Sequence, residues 1–373
     1  MPTVDLNAPT IPAGARAWRL FPGRRYSFLE ELVTHGAAYL DIPGFEMPID
    51  VPLSRDPNIL PKIARSQDLI LKLAQEGPGS EQILPLDNYL RAQKTGHRTK
   101  LAQAIINLYE AAKAGDYVIT PEPLSFGRIW VGRFTSDDVT AARLPRKYGN
   151  YPIPARSIQW FGSYPENTIS SGLSASLRHE NPFTVLERST YTEIFGLALG
   201  SFVFGERHLA TIYNDLDDFL DSDGALLGAI SRLASAATQV LEHGGELAEA
   251  HLIDVLLRNP PIQFTCSQQA DIHSPGFTRF TSGKVVALVI AAVVAGLIVL
   301  SEVSTHDTLA NDIQQLTFVN TGNGADPACT ARVSEASKRV LTVLGIDRTW
   351  VLCEAAHTAK QRAGLRSSAR QRQ

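Results

Sequence analysis

Val285 to Leu300 reads VVALVIAAVVAGLIVL, sixteen residues with no charge and no polar side chain. Lys284 precedes it and Ser301-Glu302 follow. As a helix it rises roughly 24 Å, against a hydrocarbon core of about 30 Å. Ser282-Gly283, Ser301 and Val303 can lengthen it, and Lys284 can snorkel. It has no polar face, which a helix lying on a protein surface would show. The expectation is one transmembrane helix over residues 284–303. A central helix of a soluble domain, or a buried strand pair, stays open because Val and Ile dominate.

The flanks give that span a direction. Residues 270–284 contain Arg279 and Lys284, whereas residues 301–315 contain no Lys or Arg but do contain Glu302, Asp307 and Asp312. The positive-inside bias then leaves the N-terminal side in the cytoplasm of a single-pass inner-membrane protein; a wholly cytoplasmic protein is the alternative. The opening MPTVDLNAPTIPAGARAW lacks the charged-then-apolar layout of an export signal, in keeping with a cytosolic first part. Cys329 and Cys353 fall on the far side and can pair there as a disulfide. Two free buried thiols are the alternative.

Composition narrows the classes. The chain has 373 residues, 44% hydrophobic and 20% charged, a globular composition long enough for two domains and a tail. A net charge of −3 excludes a wholly basic nucleic-acid binder but not a local basic face. Three cysteines are too few for a four-cysteine zinc site, and no metal or cofactor is expected.

Residues 1–15, rich in Pro, Ala and Thr, predict a flexible arm. Ala17–Phe21 and Ala37–Ile42 are strand-like around a helical Tyr26–Leu32. Residues 47–61 carry four prolines and predict a loop. Leu60–Gln75 and Arg98–Lys113 predict helices, the second with Leu101, Ala104, Ile105, Leu108 and Ala112 on one face. Strands follow at Asp116–Thr120, Gly127–Phe134 and Arg156–Phe161, then a short helix at Leu173–Leu177 and a strand at Phe183–Leu186.

Four of these runs, GDYVITPEP, GRIWVGRF, PARSIQWFG and LSASLRHENPFTVL, resemble the N-terminal domain of Mrr-type restriction proteins, of the wider PUA-like group that includes EVE domains. Gly115-Asp116 match its opening "GD" strand, and Arg156, Ile158 and Trp160 its "R-x-V-x-W" strand. The likeness spans about residues 16–187. The family's "iGW" is absent, with Leu40-Asp41-Ile42-Pro43 in its place, and Pro154-Ala155 stand where the family is histidine-rich. The resemblance implies an α+β fold with a small mixed β-barrel that receives a flipped or modified base between aromatic walls. Its base-binding candidates here are Trp18, Arg24, Arg25, Trp130, Arg156 and Trp160. Its phosphate-contact candidates are Arg128, Arg133, Arg146 and Lys147. Tryptophans in strands are usually barrel core, and that is the stronger expectation for Trp130 and Trp160 taken singly.

The second half turns helical. Ile194–Gly205 is apolar but only twelve residues long, which fits a buried helix or a re-entrant piece. Asn214–Gly224 holds five aspartates, taken as the acidic start of a helix with Asp223 as cap rather than as a cation site. Helices are expected from Ile230 to Leu241 and from Leu247 to Leu257, then from Val333 to Leu344 and from Arg348 to Lys360. The basic end RAGLRSSARQRQ is expected to be disordered. The expected order is a PUA-like domain over 16–190, a helical region over 191–283, the span, and a small helical domain over 304–373.

No GxxxxGK[ST], HExxH or GxSxG occurs, nor the Asp and Glu/Gln-x-Lys strand pair of a restriction nuclease, so no catalytic residue is assigned. The leading expectation is a membrane-anchored sensor of nucleic acid or a modified base in anti-phage defence, homo-oligomeric through its transmembrane helix. A soluble diverged nuclease built around the apolar run, and a protein-binding scaffold, are the alternatives.

Overall fold

The computed structural model describes residues 1–23, 26–77, 83–123, 127–179, 181–271 and 275–372. The protein is mixed α/β and includes a sheet curled into half a barrel. The chain divides into two compact units, Gly14–Ala198 and Met1–Ala13 together with Leu199–Gln373.

In the Gly14–Ala198 unit the strands lie in the order Ala37–Ala38, Ile153–Pro165, Arg128–Phe134, Tyr117–Pro121, Ala17–Leu20, Phe183–Val185. Ala17–Leu20 and Tyr117–Pro121 are parallel; their neighbours run antiparallel. Trp18, Leu20, Val118, Phe134 and Phe183 pack with Leu32, Ile63 and Ile105 from the helices Leu29–Thr34, Ile59–Glu76 and Gly96–Ile106, and with Leu108 from the turn that follows the last of them. The stripe Leu101, Ala104, Ile105, Leu108, Ala112 is buried throughout, as its spacing requires. The helix ends in one π-turn, Asn107–Ala111.

Gly115-Asp116 have a structural task. Gly115 sits at φ 90°, a conformation that favours glycine. The buried Asp116 carboxylate accepts from the amides of Arg16 (2.8 Å) and Lys113 (3.0 Å) and from Nε1 of Trp18 (2.8 Å). It thereby locks the first strand to the turn before the second.

In the other unit the strands Ser267–Asp271, Gly276–Ser282, Arg207–Asn214 and Ser201–Phe204 form an antiparallel path, extended by Thr10–Ile11. Thr3–Asp5 lies between Thr317–Val319 and Arg370–Gln371, and Leu365–Ser367 pairs with Arg207–Asn214. The expected loose arm and disordered tail are therefore strands. Val4, Leu6, Ala8, Leu365 and Ala369 are buried and hold them there. Gly322 allows the arm its approach, since a Cβ there would lie 2.4 Å from the Pro9 nitrogen. Residues 304–373 are accordingly no separate domain; they share one core with residues 199–303. The run Ile194–Gly205 is also not one helix. Tyr191–Ala198 is helical and Ser201–Phe204 is a strand. At Gly200 between them a Cβ would meet Tyr213 Oη at 2.7 Å.

The apolar stretch forms the helix Val286–Val303, and every residue from Val286 to Leu300 is buried. The helices Asp221–His243 and Pro327–Ala363 and the strands Arg207–Asn214 and Leu365–Ser367 surround it. Ser367 Oγ donates to the Ala291 carbonyl at its middle (2.8 Å). Its ends are polar: Ser282 Oγ accepts from the Ala287 amide (3.2 Å), Lys284 pairs with Glu242 (2.7 Å), and Lys360 pairs with Glu302.

Two of the five aspartates, Asp221 and Asp223, do start a helix, Asp221–His243, but Leu220 is its cap. Asp223 reaches back from the first turn to the Leu220 amide (2.8 Å) and takes both bonds from Arg362 Nη2 (2.7 Å each). The helix Pro327–Ala363 is broken at Gly345 (φ 73°, ψ 172°). Cys329 and Cys353 are free, buried thiols, which corrects the expected disulfide. Cys329 stands sixteen residues before the break and Cys353 eight after it. Even a tight hairpin would leave them about 12 Å apart in level, beyond disulfide reach.

His208, buried on the strand Arg207–Asn214, is neutral at pH 7. Burial, with help from the charges of Arg332 and Lys284, lowers its pKa to about 4, partly offset by a bond at the Glu206 backbone. The unfolded chain takes up that proton near pH 6.5 while the folded one does not. The stabilisation is therefore complete above about pH 6.5 and is lost as pH falls toward 4, by about 3 kcal/mol. Urea titrations across that window should show the slope, and His208→Gln should flatten it.

Candidate base-binding site

The strands Arg128–Phe134 and Ile153–Pro165 pair with a register shift between Val131 and Gly132. Gly132 makes the local geometry possible. A Cβ there would lie 2.7 Å from Cε3 of Trp160 and 2.6 Å from Cγ2 of Ile158, so the missing side chain is what lets the indole lie down. Trp130 is two residues along on the same face. The two rings meet edge to face, 6.3 Å apart at 77°, and form a half-buried aromatic corner.

The polar tips of both rings are occupied within the protein. Trp130 Nε1 donates to Glu122 Oε1 (2.6 Å), and Trp160 Nε1 donates to the Leu32 carbonyl (3.0 Å). Each ring is oriented by a bond at its N–H, and both indoles stay half-buried at the sheet surface. Thr120 stands opposite Trp130 in the ladder, and its buried hydroxyl has no partner among the described residues. Arg128 is exposed, two residues from Trp130, and donates from Nη2 to the carbonyl and hydroxyl of Ser163 (2.9 and 2.8 Å). An aromatic corner beside a steadied guanidinium can stack a flat heterocycle and neutralise an attached phosphate.

The other candidates separate. Trp18 is 1% exposed, stacked on Phe183 (5.1 Å, 12°) and bonded to Asp116. It is core, because its indole N–H is satisfied inside. Arg156, also 1% exposed, donates to the carbonyls of Leu108 (3.0 Å), Ala112 (2.5 Å) and Ser136 (2.7 Å) and to Asp137 (3.2 Å). It satisfies the carbonyl end of a helix and reaches no solvent. Arg133 points to the opposite sheet face from Trp130, over Phe161 (5.8 Å). Arg146 is exposed on the short helix Pro145–Tyr148. Its neighbour Lys147 turns inward, 3.5 Å from the Phe28 ring centre and bonded to Ser27 (3.0 Å). Burial pushes the Lys147 pKa down, and the charges of Asp41 and Glu31 oppose that. Arg24 and Arg25 lie outside the described residues.

No family model, curated protein or solved structure matches this chain. The likeness of residues 16–187 to the Mrr-type domain thus rests on its short motifs. Gly115-Asp116 and Arg156 each have a packing role that accounts for them in this chain. Glu122, Thr120 and Ser163 were missed by sequence reasoning. Period-two alternation from Trp130 across a paired strand is the signal that could have found Thr120 and Glu122.

Chemistry elsewhere is sparse. No cluster of His, Cys, Asp and Glu suited to a metal occurs among the described residues. Burial raises the thiols of Cys266 and Cys353 to about 12 and leaves them inert as nucleophiles at neutral pH.

Proposed function

We propose that the Gly14–Ala198 unit recognises nucleic acid by stacking an unpaired or extruded base in the Trp130–Trp160 corner, with Arg128 as a backbone contact. The supporting observation is that both indoles are half-exposed while both of their N–H groups are already bonded. Core tryptophans such as Trp18 are closed off entirely. We further propose that Val286–Val303 is the core helix of the other unit rather than an anchor. The burial of every residue from Val286 to Leu300 within the protein supports that reading.

Quenching of tryptophan fluorescence by single- and double-stranded oligonucleotides, modified and unmodified, tests the recognition proposal. Binding should weaken with salt, as phosphate contacts require. Trp130→Ala should lower affinity by about 1–3 kcal/mol at constant salt slope, the worth of one stacked base. Arg128→Gln should lower both affinity and slope. If no oligonucleotide binds in a salt-dependent way, the reading is wrong.

A further inference from the structure

We infer that the second unit carries a site for a small amphipathic anion, an alkyl chain ending in a carboxylate, in the groove between the C-terminal half of the central helix and the chain's last strands. The inference rests on that helix being enclosed by protein.

The groove has a volume of about 440 Å³, within the range of small-molecule sites. Its floor is Ala295, Ile298 and Val299, and Glu302 continues the same helix face at the rim. The spacing i, i+3, i+4, i+7 makes one continuous strip, apolar for three positions and charged at the fourth. Ala295, Ile298 and Val299 are 4%, 9% and 2% exposed, and the groove runs along what the strands leave of them.

The rim decides the charge of the guest. Glu302 is neutralised by Lys360, with which it forms an ion pair. Arg366 is committed to Asp215 (2.5 and 3.3 Å) and lies over the Tyr213 ring (4.0 Å). Arg370 lines the groove and is exposed, and among the described residues its guanidinium has no partner. One uncompensated cation over an apolar floor fits one anionic head on an apolar body. A bare phosphate would leave the floor uncovered, and a neutral alkyl chain would leave Arg370 unanswered.

The test is calorimetric titration of the full chain, soluble without detergent, with decanoate, octanoate, hexanoate, decanol and inorganic phosphate, all below micelle-forming concentrations. Decanoate should bind at one site, and each two-carbon shortening should weaken it about ten-fold. Decanol should bind at least five-fold more weakly than decanoate. Arg370→Gln, a surface change, should erase that preference. Gln371→Trp, at the exposed mouth, should weaken both ligands. Absence of decanoate binding overturns the inference. So does undiminished decanoate binding by Arg370→Gln, or inorganic phosphate binding as tightly as decanoate. Oligonucleotide binding is unaffected in either variant, so failure here and failure of the nucleic-acid reading are told apart.

Discussion

Arg156→Met should unfold the Gly14–Ala198 unit, and Arg156→Lys should come close to doing so. The guanidinium lies on the Phe134 ring (4.6 Å) and serves three carbonyls and one carboxylate from a site 1% exposed. Two of those carbonyls, Leu108 and Ala112, belong to the end of the π-turn, where the helix supplies no further amide. Methionine fills the space but orphans the buried carbonyls of Leu108 and Ala112 and takes the partner from the part-buried carbonyl of Ser136; the exposed Asp137 turns to water. Lysine keeps the charge but places a single ammonium where a planar fork is required. Each buried acceptor left unsatisfied costs about 1–3 kcal/mol, so the two orphaned helix carbonyls together remove a large part of a total stability of about 5–15 kcal/mol. Thermal denaturation followed by circular dichroism checks it. Arg128→Gln, exposed on the neighbouring strand, is the control and should shift the midpoint little. A phosphate-binding Arg156 would behave in the reverse way, folding normally and losing salt-dependent affinity.

The contrast shows where the sequence was legible. The helix with Leu101, Ala104, Ile105 and Leu108, and the strands around Ile119, Val131 and Ile158, were readable because long periodic runs carry their own geometry. The strands Thr3–Asp5, Thr10–Ile11 and Arg370–Gln371 were not, since two or three residues hold no period. Their partners lie some three hundred residues away or across the unit, as with Thr3 and Thr317. In the site, residue type pointed to tryptophan and arginine but could not rank their burial. Trp18 and Trp130 sit in similar strand contexts. Asp116, near in space but about a hundred positions away, closes one of them off, whereas Trp130 is tied by Glu122 beside it and left half open.

The apolar stretch poses the same difficulty at larger scale, because a helix apolar on all sides suits both lipid and a protein core. Val293→Lys separates the two. Val293 is fully buried at the middle of the helix, with protein on all sides. In a core, the ammonium has neither water nor a partner, and the cost is several kcal/mol at a site that cannot relax. The second unit should then lose its cooperative unfolding transition and the near-ultraviolet signal of Trp350, which packs against that core. In a bilayer the same substitution costs about 2.5–3.5 kcal/mol of insertion and leaves the domains on either side folded. The wild-type chain should remain in the supernatant after high-speed centrifugation without detergent. Recovery in the membrane pellet after an alkaline carbonate wash would refute the core reading and, with it, the groove over Ala295 and Ile298. The helix length argues in the same direction. Sixteen apolar residues fall short of the hydrocarbon thickness by about 6 Å. Yet they end where protein supplies polar partners, Ser282 and Glu242 at one end and Lys360 at the other. The length therefore matches this enclosure, which needs no thinning of a bilayer to accommodate it.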